Sequence, residues 1–289
     1  MDYVKPAQVV ESLASAGEMK SKLPVRHLLL RGALSGAFLG FATSLAITAS
    51  IQTGIPLVGA IVFPVGFVMI VLFGLELVTG NFAVLTIANL CGRATGKGVW
   101  RNWAWVFLGN LLGSLFYAGL LFVVLTSAGA VEPNALGQKV IAIAEAKTLG
   151  YKSLGTQGLF TMFAKGMLCN WMVCMGVLMS VTAKSVTGKI VAAWLPITTF
   201  FAQGFEHSVV NMFVIPTGMM MGAKVTVADW WLWNQVPVTL ANLVSGALFV
   251  GAMFHATYSE KRASEAVATV EEFIPRLIDH DELEQPVVT

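Results

Sequence analysis

Two short polar stretches interrupt apolar runs and carry the side chains best suited to chemistry. "ELVTGN" begins at Glu76 and "EHSVVN" begins at Glu206, and each ends with an asparagine five residues after its glutamate. His207 follows the second glutamate, and an imidazole can donate a hydrogen bond or exchange a proton near neutral pH. We therefore take His207 as a candidate site residue, with a structural hydrogen bond between helices as the alternative.

The two glutamates have less specific interpretations. Glu206 either orients the hydrogen bonds around His207 or holds the end of a helix, and the residues leave both alternatives open. For Glu76 we favour a structural role, in which its carboxylate accepts backbone N–H groups.

The composition places these stretches in a membrane protein. Of 289 residues, 56% are hydrophobic and 12% are charged, and the mean hydropathy is +0.74, which is outside the range of soluble domains. The net charge of +2 and the scattered basic residues exclude a nucleic-acid partner. The motifs of nucleotide, redox and metal sites do not occur, so we predict neither an enzyme nor a cofactor.

The apolar runs predict six membrane-spanning helices in an all-α integral membrane protein. They cover residues 28–50, 57–90, 103–127, 157–182, 190–218 and 235–257. The second and fifth runs are too long for one straight crossing, and they contain the two polar stretches. We therefore expect helices 2 and 5 to be broken.

Lys and Arg residues predict the orientation. Most of them lie in the terminal segments and in the loops after the second and fourth spans. The positive-inside rule then puts both termini in the cytoplasm of a multi-pass protein of the plasma (inner) membrane. The predicted organisation is a cytoplasmic segment 1–27 with a short amphipathic helix on the membrane surface, a transmembrane domain 28–257 and a cytoplasmic tail 258–289.

The two halves of the chain are similar in sequence. "ELVTGN" matches "EHSVVN" at an offset of 130 residues, and "NWAWVFLGNLLGS" matches "NQVPVTLANLVSG" at an offset of 132. Each half, about 28–127 and about 157–257, would hold three spans. Because three is odd, the repeats must be inverted relative to each other, which favours a site where the two breaks meet near the bilayer midplane.

These motifs resemble the formate/nitrite transporter family over about residues 5–258. The most specific stretches are "FGLELVTGNF", "KGMLCNWMVCMGV" and "FEHSVVNMFVIPTG". The resemblance implies an aquaporin-like protomer of six helices, a homopentamer, and one pore in each protomer.

The resemblance also assigns site residues. The polar ones are His207, Thr79, Asn170, Asn211, Glu206 and Asn242, with Thr79 facing His207. Apolar constrictions fall on Phe63 and Phe200 at the outer side, and on Phe67, Leu77 and Val78 at the inner side. The vestibule lysine is either Lys147 or Lys152.

The predicted function is a channel or transporter for small monovalent weak-acid anions, with formate first and proton-linked passage at His207. Nitrite is the nearest alternative, followed by hydrosulfide, acetate and lactate. A neutral-solute channel is an alternative of another class, but the paired Asn-Pro-Ala motifs of aquaporins do not occur in the sequence. A membrane scaffold or receptor would leave the two matched breaks unexplained.

Overall fold

The computed structural model describes residues 2–259, whose regular elements are all helices. The predicted tail beyond residue 259 lies outside the described residues. The helices are α1 (Pro6–Lys22), α2 (Val25–Thr53), α3 (Pro56–Val62), α4 (Pro64–Leu72), α5 (Val78–Leu90), α6 (Gly96–Thr126), α7 (Ala135–Lys147), α8 (Leu149–Ser153), α9 (Thr156–Val181), α10 (Val186–Ala202), α11 (Ser208–Met220), α12 (Val227–Trp230) and α13 (Val236–Val244). Two segments are π-helical: Trp231–Gln235 joins α12 to α13, and Ser245–Ala252 follows α13.

Several of these helices are apolar enough to cross a membrane. Within the described residues, four are also long enough, namely Val25–Thr53, Gly96–Thr126, Thr156–Val181 and Val227–Ser259. Shorter apolar helices are Pro56–Leu72, Val78–Leu90, Val186–Ala202 and Ser208–Met220. The regular structure of residues 2–259 is therefore all helical, with several helices of the length and composition of membrane spans.

The chain leaves helical conformation at both polar stretches, and it does so in the same way. Gly74 follows α4 and Gly204 follows α10, with φ of +60° and +64°. This left-handed conformation favours glycine, because glycine has no Cβ to clash with the backbone. After each glycine, an N–H bonds back to the helix, from Leu75 to Ile70 O at 3.0 Å and from Phe205 to Phe200 O at 3.3 Å. These bonds satisfy terminal carbonyl groups, so the helices end without buried unpaired acceptors at these positions.

The long helices α2 and α6 approach closely through glycine. A Cβ added at Gly36 would lie 2.1 Å from the Asn110 carbonyl oxygen, and one added at Gly113 would lie 1.8 Å from that of Ala33. Larger residues would separate the two backbones. This contact fixes the position of Asn110, which bonds to the polar stretch at Glu76.

Helix α1 covers part of the bundle. Its buried residues Val9, Val10 and Leu13 pack in one cluster with Val84 and Ile87 of α5. The apolar face of α1 therefore packs against protein, while the location of this helix on the membrane surface stays a prediction. The helix packs there because α5 presents a complementary apolar face, which periodicity within α1 cannot reveal.

Candidate functional site

A contact between two buried side chains joins the two polar stretches. Thr79 Oγ1 lies 3.1 Å from His207 Nε2, and both side chains are buried. Thr79 is in the first turn of α5, and His207 immediately precedes α11. The structure thus brings together the two residues that were expected to face each other, at the N-termini of two helices whose dipoles favour negative charge.

The surroundings of His207 define which ring nitrogen carries the proton. Its Nδ1 accepts a hydrogen bond from the Val210 backbone N–H at 3.2 Å, as the cap of α11. An acceptor nitrogen carries no proton in the neutral ring, so the proton resides on Nε2, which faces Thr79. A proton on Nδ1 would replace that cap bond with two opposed N–H groups. Nε2–H is therefore the donor that His207 can offer to a solute.

Glu206 is held by several donors. Its Oε2 accepts from Lys147 Nζ at 2.8 Å and from Asn211 Nδ2 at 2.8 Å, while its Oε1 accepts from Tyr151 OH at 2.8 Å. Asn234 joins Asn211 at 2.8 Å and also contacts the carboxylate at 3.4 Å. The carboxylate, which is only 2% exposed, thus has its charge offset by Lys147.

A matching network surrounds Glu76. Lys20 Nζ lies 2.7 Å from Oε1, and Asn81 Nδ2 lies 2.6 Å from Oε2. Asn81 also donates to Asn102 Oδ1 at 2.9 Å, as Asn211 does to Asn234. We expected backbone N–H groups to donate to the Glu76 carboxylate. Among the described residues, its donors are side chains instead.

Two asparagines brace the interruptions from neighbouring helices. Asn242 Oδ1 accepts from Ser208 N–H at 2.9 Å, and its amide donates to the carbonyl groups of Gly166 at 2.8 Å and Glu206 at 3.1 Å. Asn110 makes the corresponding bonds in the other half. Its Oδ1 accepts from Val78 N–H, and its amide donates to the carbonyl groups of Gly32 and Glu76. Each amide therefore ties a non-helical segment to two adjacent helices.

Asn170 links both halves. Its amide donates to Thr79 O at 3.1 Å and to Asn242 O at 2.6 Å. It thereby positions the backbone of Thr79 while contacting the helix that braces His207. Asn170 and Asn242 thus act on backbone groups, rather than touching the ring of His207 directly.

A cavity of about 540 Å³, here called the wide cavity, opens on the His207 side. Its polar lining includes Lys147, Tyr151, Lys165, Glu206 and His207. Lys152, the other candidate for the vestibule lysine, instead forms an ion pair with Asp229 at 2.7 Å and does not line this cavity.

A second cavity of about 210 Å³, here called the narrow cavity, lies on the α1 side. Lys20, Leu77, Gly80 and Asn81 line it. Lys20 was missed by the sequence reasoning because its helix lies outside the predicted spans. The signal that could have found it is its position before the first span, which corresponds to that of Lys147 before the fourth.

The candidate constriction residues fall into two groups. Phe200 lines the wide cavity and stacks on the His207 ring with centroids 5.7 Å apart, whereas Phe67 and Leu77 line the narrow cavity. Phe63 and Val78 are buried and do not line either cavity. Phe63 contacts Phe200 edge to face, with ring centroids 5.7 Å apart.

Comparison with known proteins agrees with this arrangement. The chain is 36% identical over 273 residues to a probable formate transporter of Methanothermobacter thermautotrophicus, covering 89% of this chain and 97% of the relative. It is 33% identical to the formate channel BtFdhC of Bacillus thuringiensis, covering 91% and 99%. It is 31% identical to the formate channel FocA of Escherichia coli K12, covering 89% and 95%.

Solved structures show the same likeness. An ion channel of the FNT family superposes with a TM-score of 0.76 at 28% identity, covering 86% of this chain and 98% of that one. A pentameric formate channel with formate bound gives 0.65 at 27% identity, covering 81% and 97%. The model of the formate/nitrite transporter family matches residues 7–256. The resemblance read from the sequence is thereby confirmed, and the chain belongs to the formate/nitrite transporter family.

Proposed function

We propose that this protein conducts small monovalent weak-acid anions, with formate as the first candidate, past the Thr79–His207 pair. The observation that carries the proposal is the contact of these two side chains at 3.1 Å. The wide cavity reaches His207 from one side. The narrow cavity is lined by Leu77 and Gly80, which flank Thr79 in the chain. The relatives named as formate transporters and channels support formate as the substrate.

The architecture proposed for this function has six spans in two inverted repeats, with helices 2 and 5 broken, as in an aquaporin-like protomer. The matched networks around Glu76 and Glu206, and the matched braces Asn110 and Asn242, support it. The related pentameric formate channel supports a homopentamer with one pathway in each protomer. We place the narrow cavity on the cytoplasmic side, because it is lined by Lys20 of the N-terminal segment, which the positive-inside rule assigns to the cytoplasm.

The mechanism starts from the cost of moving a charged solute between apolar side chains. A desolvated monovalent anion is unfavourable unless its charge is offset or neutralised. The Lys147 ammonium attracts the anion into the wide cavity. We identify Lys147, rather than Lys152, as the vestibule lysine because Lys147 lines that cavity and pairs with Glu206.

At the centre, the solute meets donors that favour an anion and a group that exchanges a proton. His207 Nε2–H and the Thr79 hydroxyl can bond the carboxylate oxygens, and the two helix N-termini add partial positive charge. A proton taken up from water converts His207 transiently to the imidazolium. Transfer of that proton to the weak-acid anion restores the neutral ring and produces the neutral acid, which crosses the apolar constrictions at lower cost. Glu206 and Asn211 hold the segment that carries His207, so they position the histidine without contacting the solute.

The test is uptake of labelled formate, nitrite and glycerol into proteoliposomes at pH 5 to 8. We expect formate and nitrite to cross and glycerol to be excluded. His207→Asn should slow formate flux by at least about tenfold and flatten its pH dependence, because the Nε2 donor and the exchangeable proton are lost.

His255→Asn is the matched control, since His255 lies at the end of the last helix and lines a separate cavity. It should leave formate flux unchanged. Passage of glycerol without formate would contradict the anion proposal. Unchanged flux and pH dependence in His207→Asn would remove the assigned role of the histidine.

A further inference from the structure

The wide cavity contains a second lysine that the mechanism above does not use. Lys165 lies in α9 and lines this cavity together with Lys147. The Lys147 ammonium is paired with Glu206 at 2.8 Å. None of the ion pairs formed among residues 2–259 involves Lys165. The charge of Lys165 is therefore not offset within the described part of the chain.

The surroundings of Lys165 are poor in groups that could replace water. Its Nζ lies 5.9 Å from the centroid of the Tyr151 ring, a cation–π contact of modest strength. Much of the remaining lining is apolar and includes Leu154 and Phe205. A half-buried ammonium in such a place gains free energy when an anion takes the missing position.

The narrow cavity has no equivalent among the described residues. The stretch "RGALSG" of the first half matches "KGMLCN" of the second at an offset of 134 residues, so Arg31 corresponds to Lys165, but Arg31 does not line the narrow cavity. Lys20, which lines that cavity, is paired with Glu76. The two cavities therefore differ in charge balance, although the networks around their glutamates match.

We propose that Lys165 forms an anion-capture site in the wide cavity, which binds a monovalent carboxylate through its ammonium and holds the apolar part of the ligand against Tyr151 and Phe205. This site deepens the proposed function and rests on it for its role in transport. A cavity of about 540 Å³ also admits carboxylates much larger than formate. Such ligands occupy the cavity without passing the phenyl ring of Phe200.

Benzoate is the probe that separates capture from passage. Its binding to the detergent-solubilised protein can be measured by saturation-transfer NMR, which needs no conduction. We expect Lys165→Gln to raise the Kd of benzoate about tenfold, the value for a partly solvated charge-assisted contact. Lys165→Arg should restore binding, and added salt should weaken binding to the wild type more than to Lys165→Gln.

Lys139→Gln is the matched control, because it removes an exposed lysine of α7 that does not line the cavity. An equal Kd for wild type and Lys165→Gln, or an equal loss in Lys139→Gln, would overturn the proposal.

Formate flux gives a second measurement that depends on direction. Lys165→Gln should raise the formate concentration for half-maximal flux from the wide-cavity side several-fold, with the maximal flux and entry from the other side unchanged. An equal change from both sides would contradict capture at Lys165. If the wild type conducts no formate, the proposed function fails, but benzoate binding still decides the role of Lys165.

Discussion

Replacement of Asn242 by alanine tests how the interruption before α11 is held in place. The side chain is fully buried and makes three hydrogen bonds, to Ser208 N–H at 2.9 Å, Gly166 O at 2.8 Å and Glu206 O at 3.1 Å. All three partners are backbone groups. Asn242→Ala removes this partner from Ser208 N–H and Glu206 O in a membrane interior, where water cannot readily compensate, while Gly166 O keeps its bond within α9.

Two scales bound the expected loss. A buried group left unpaired costs about 1 to 3 kcal/mol in soluble proteins. Side-chain hydrogen bonds between membrane helices average only about 0.6 kcal/mol, because the unfolded state in the membrane also finds partners. Three bonds at about 0.6 kcal/mol each give the lower bound, and two unpaired groups at about 3 kcal/mol each give the upper bound. We therefore expect a loss of about 2 to 6 kcal/mol in the free energy of unfolding.

The chain offers a matched variant. Asn110 makes the corresponding bonds to Val78 N–H at 3.0 Å, Gly32 O at 2.8 Å and Glu76 O at 2.9 Å. Asn110→Ala should therefore lose the same free energy as Asn242→Ala to within about 1 kcal/mol. Asn89→Ala is the control, since exposed Asn89 makes one side-chain bond, to Ala94 O at 2.7 Å, and should cost under about 1 kcal/mol.

The assay is equilibrium unfolding in mixed micelles of dodecyl maltoside and dodecyl sulfate, followed by circular dichroism. Protein concentration must be equal for all variants, because subunit assembly would shift apparent stability. Losses for Asn242→Ala and Asn110→Ala no larger than that for Asn89→Ala would refute the reasoning. A large loss in only one of the two would show that the matched bonds are not equivalent in energy.

Three further predictions use the same protein. Lys147→Met should lower the free energy of unfolding by about 3 to 5 kcal/mol, because it leaves the buried Glu206 carboxylate without its cation. Lys152→Met should lower it by under about 1 kcal/mol, since the Lys152 side chain is 50% exposed. Equal losses for the two variants in the same unfolding assay would contradict this. Gly36→Ala should cost about 1 to 3 kcal/mol by forcing α2 from α6, while Gly119→Ala, whose Cβ meets no other atom within 4 Å, should not destabilise; the reverse order would count against close packing there. Hydrogen bonds from the Ser185 side chain and from the Ser185 and Lys184 backbone hold the pKa of Asp2 below its usual 3.8; Asp2→Asn should therefore speed amide exchange at residues 2–4 and 184–185 at pH 7, and the wild type should show the same change only as the pH falls below about 4, through the folded-state pKa. Exchange is compared as protection relative to the intrinsic rate at each pH, because the intrinsic rate itself depends on pH. A loss of protection in the wild type between pH 7 and pH 5 would contradict that assignment.

The helix breaks could be predicted from the sequence, because their cause is local. Glu76 and Glu206 stand in apolar runs too long for one crossing, and a polar group there has few stable alternatives to a break lined by protein. Gly74 and Gly204 add the left-handed residues that end the preceding helices. The same local signals singled out His207 as a candidate and pointed to the family, while Phe63 and Val78, expected at constrictions, do not line the wide or the narrow cavity.

The partners of the charges were decided by the tertiary structure. In sequence, Lys147 and Lys152 are equivalent loop lysines, but folding places one on Glu206 and the other on Asp229. Lys20 reaches Glu76 from 56 residues away, on a helix outside the predicted spans. The sequence by itself thus determined where polar groups interrupt the membrane helices, since burial penalises each such group wherever the chain is apolar. Only the tertiary structure decided which cation offsets which carboxylate and which side chains share a cavity, because an ion pair depends on distances of a few ångströms between distant segments.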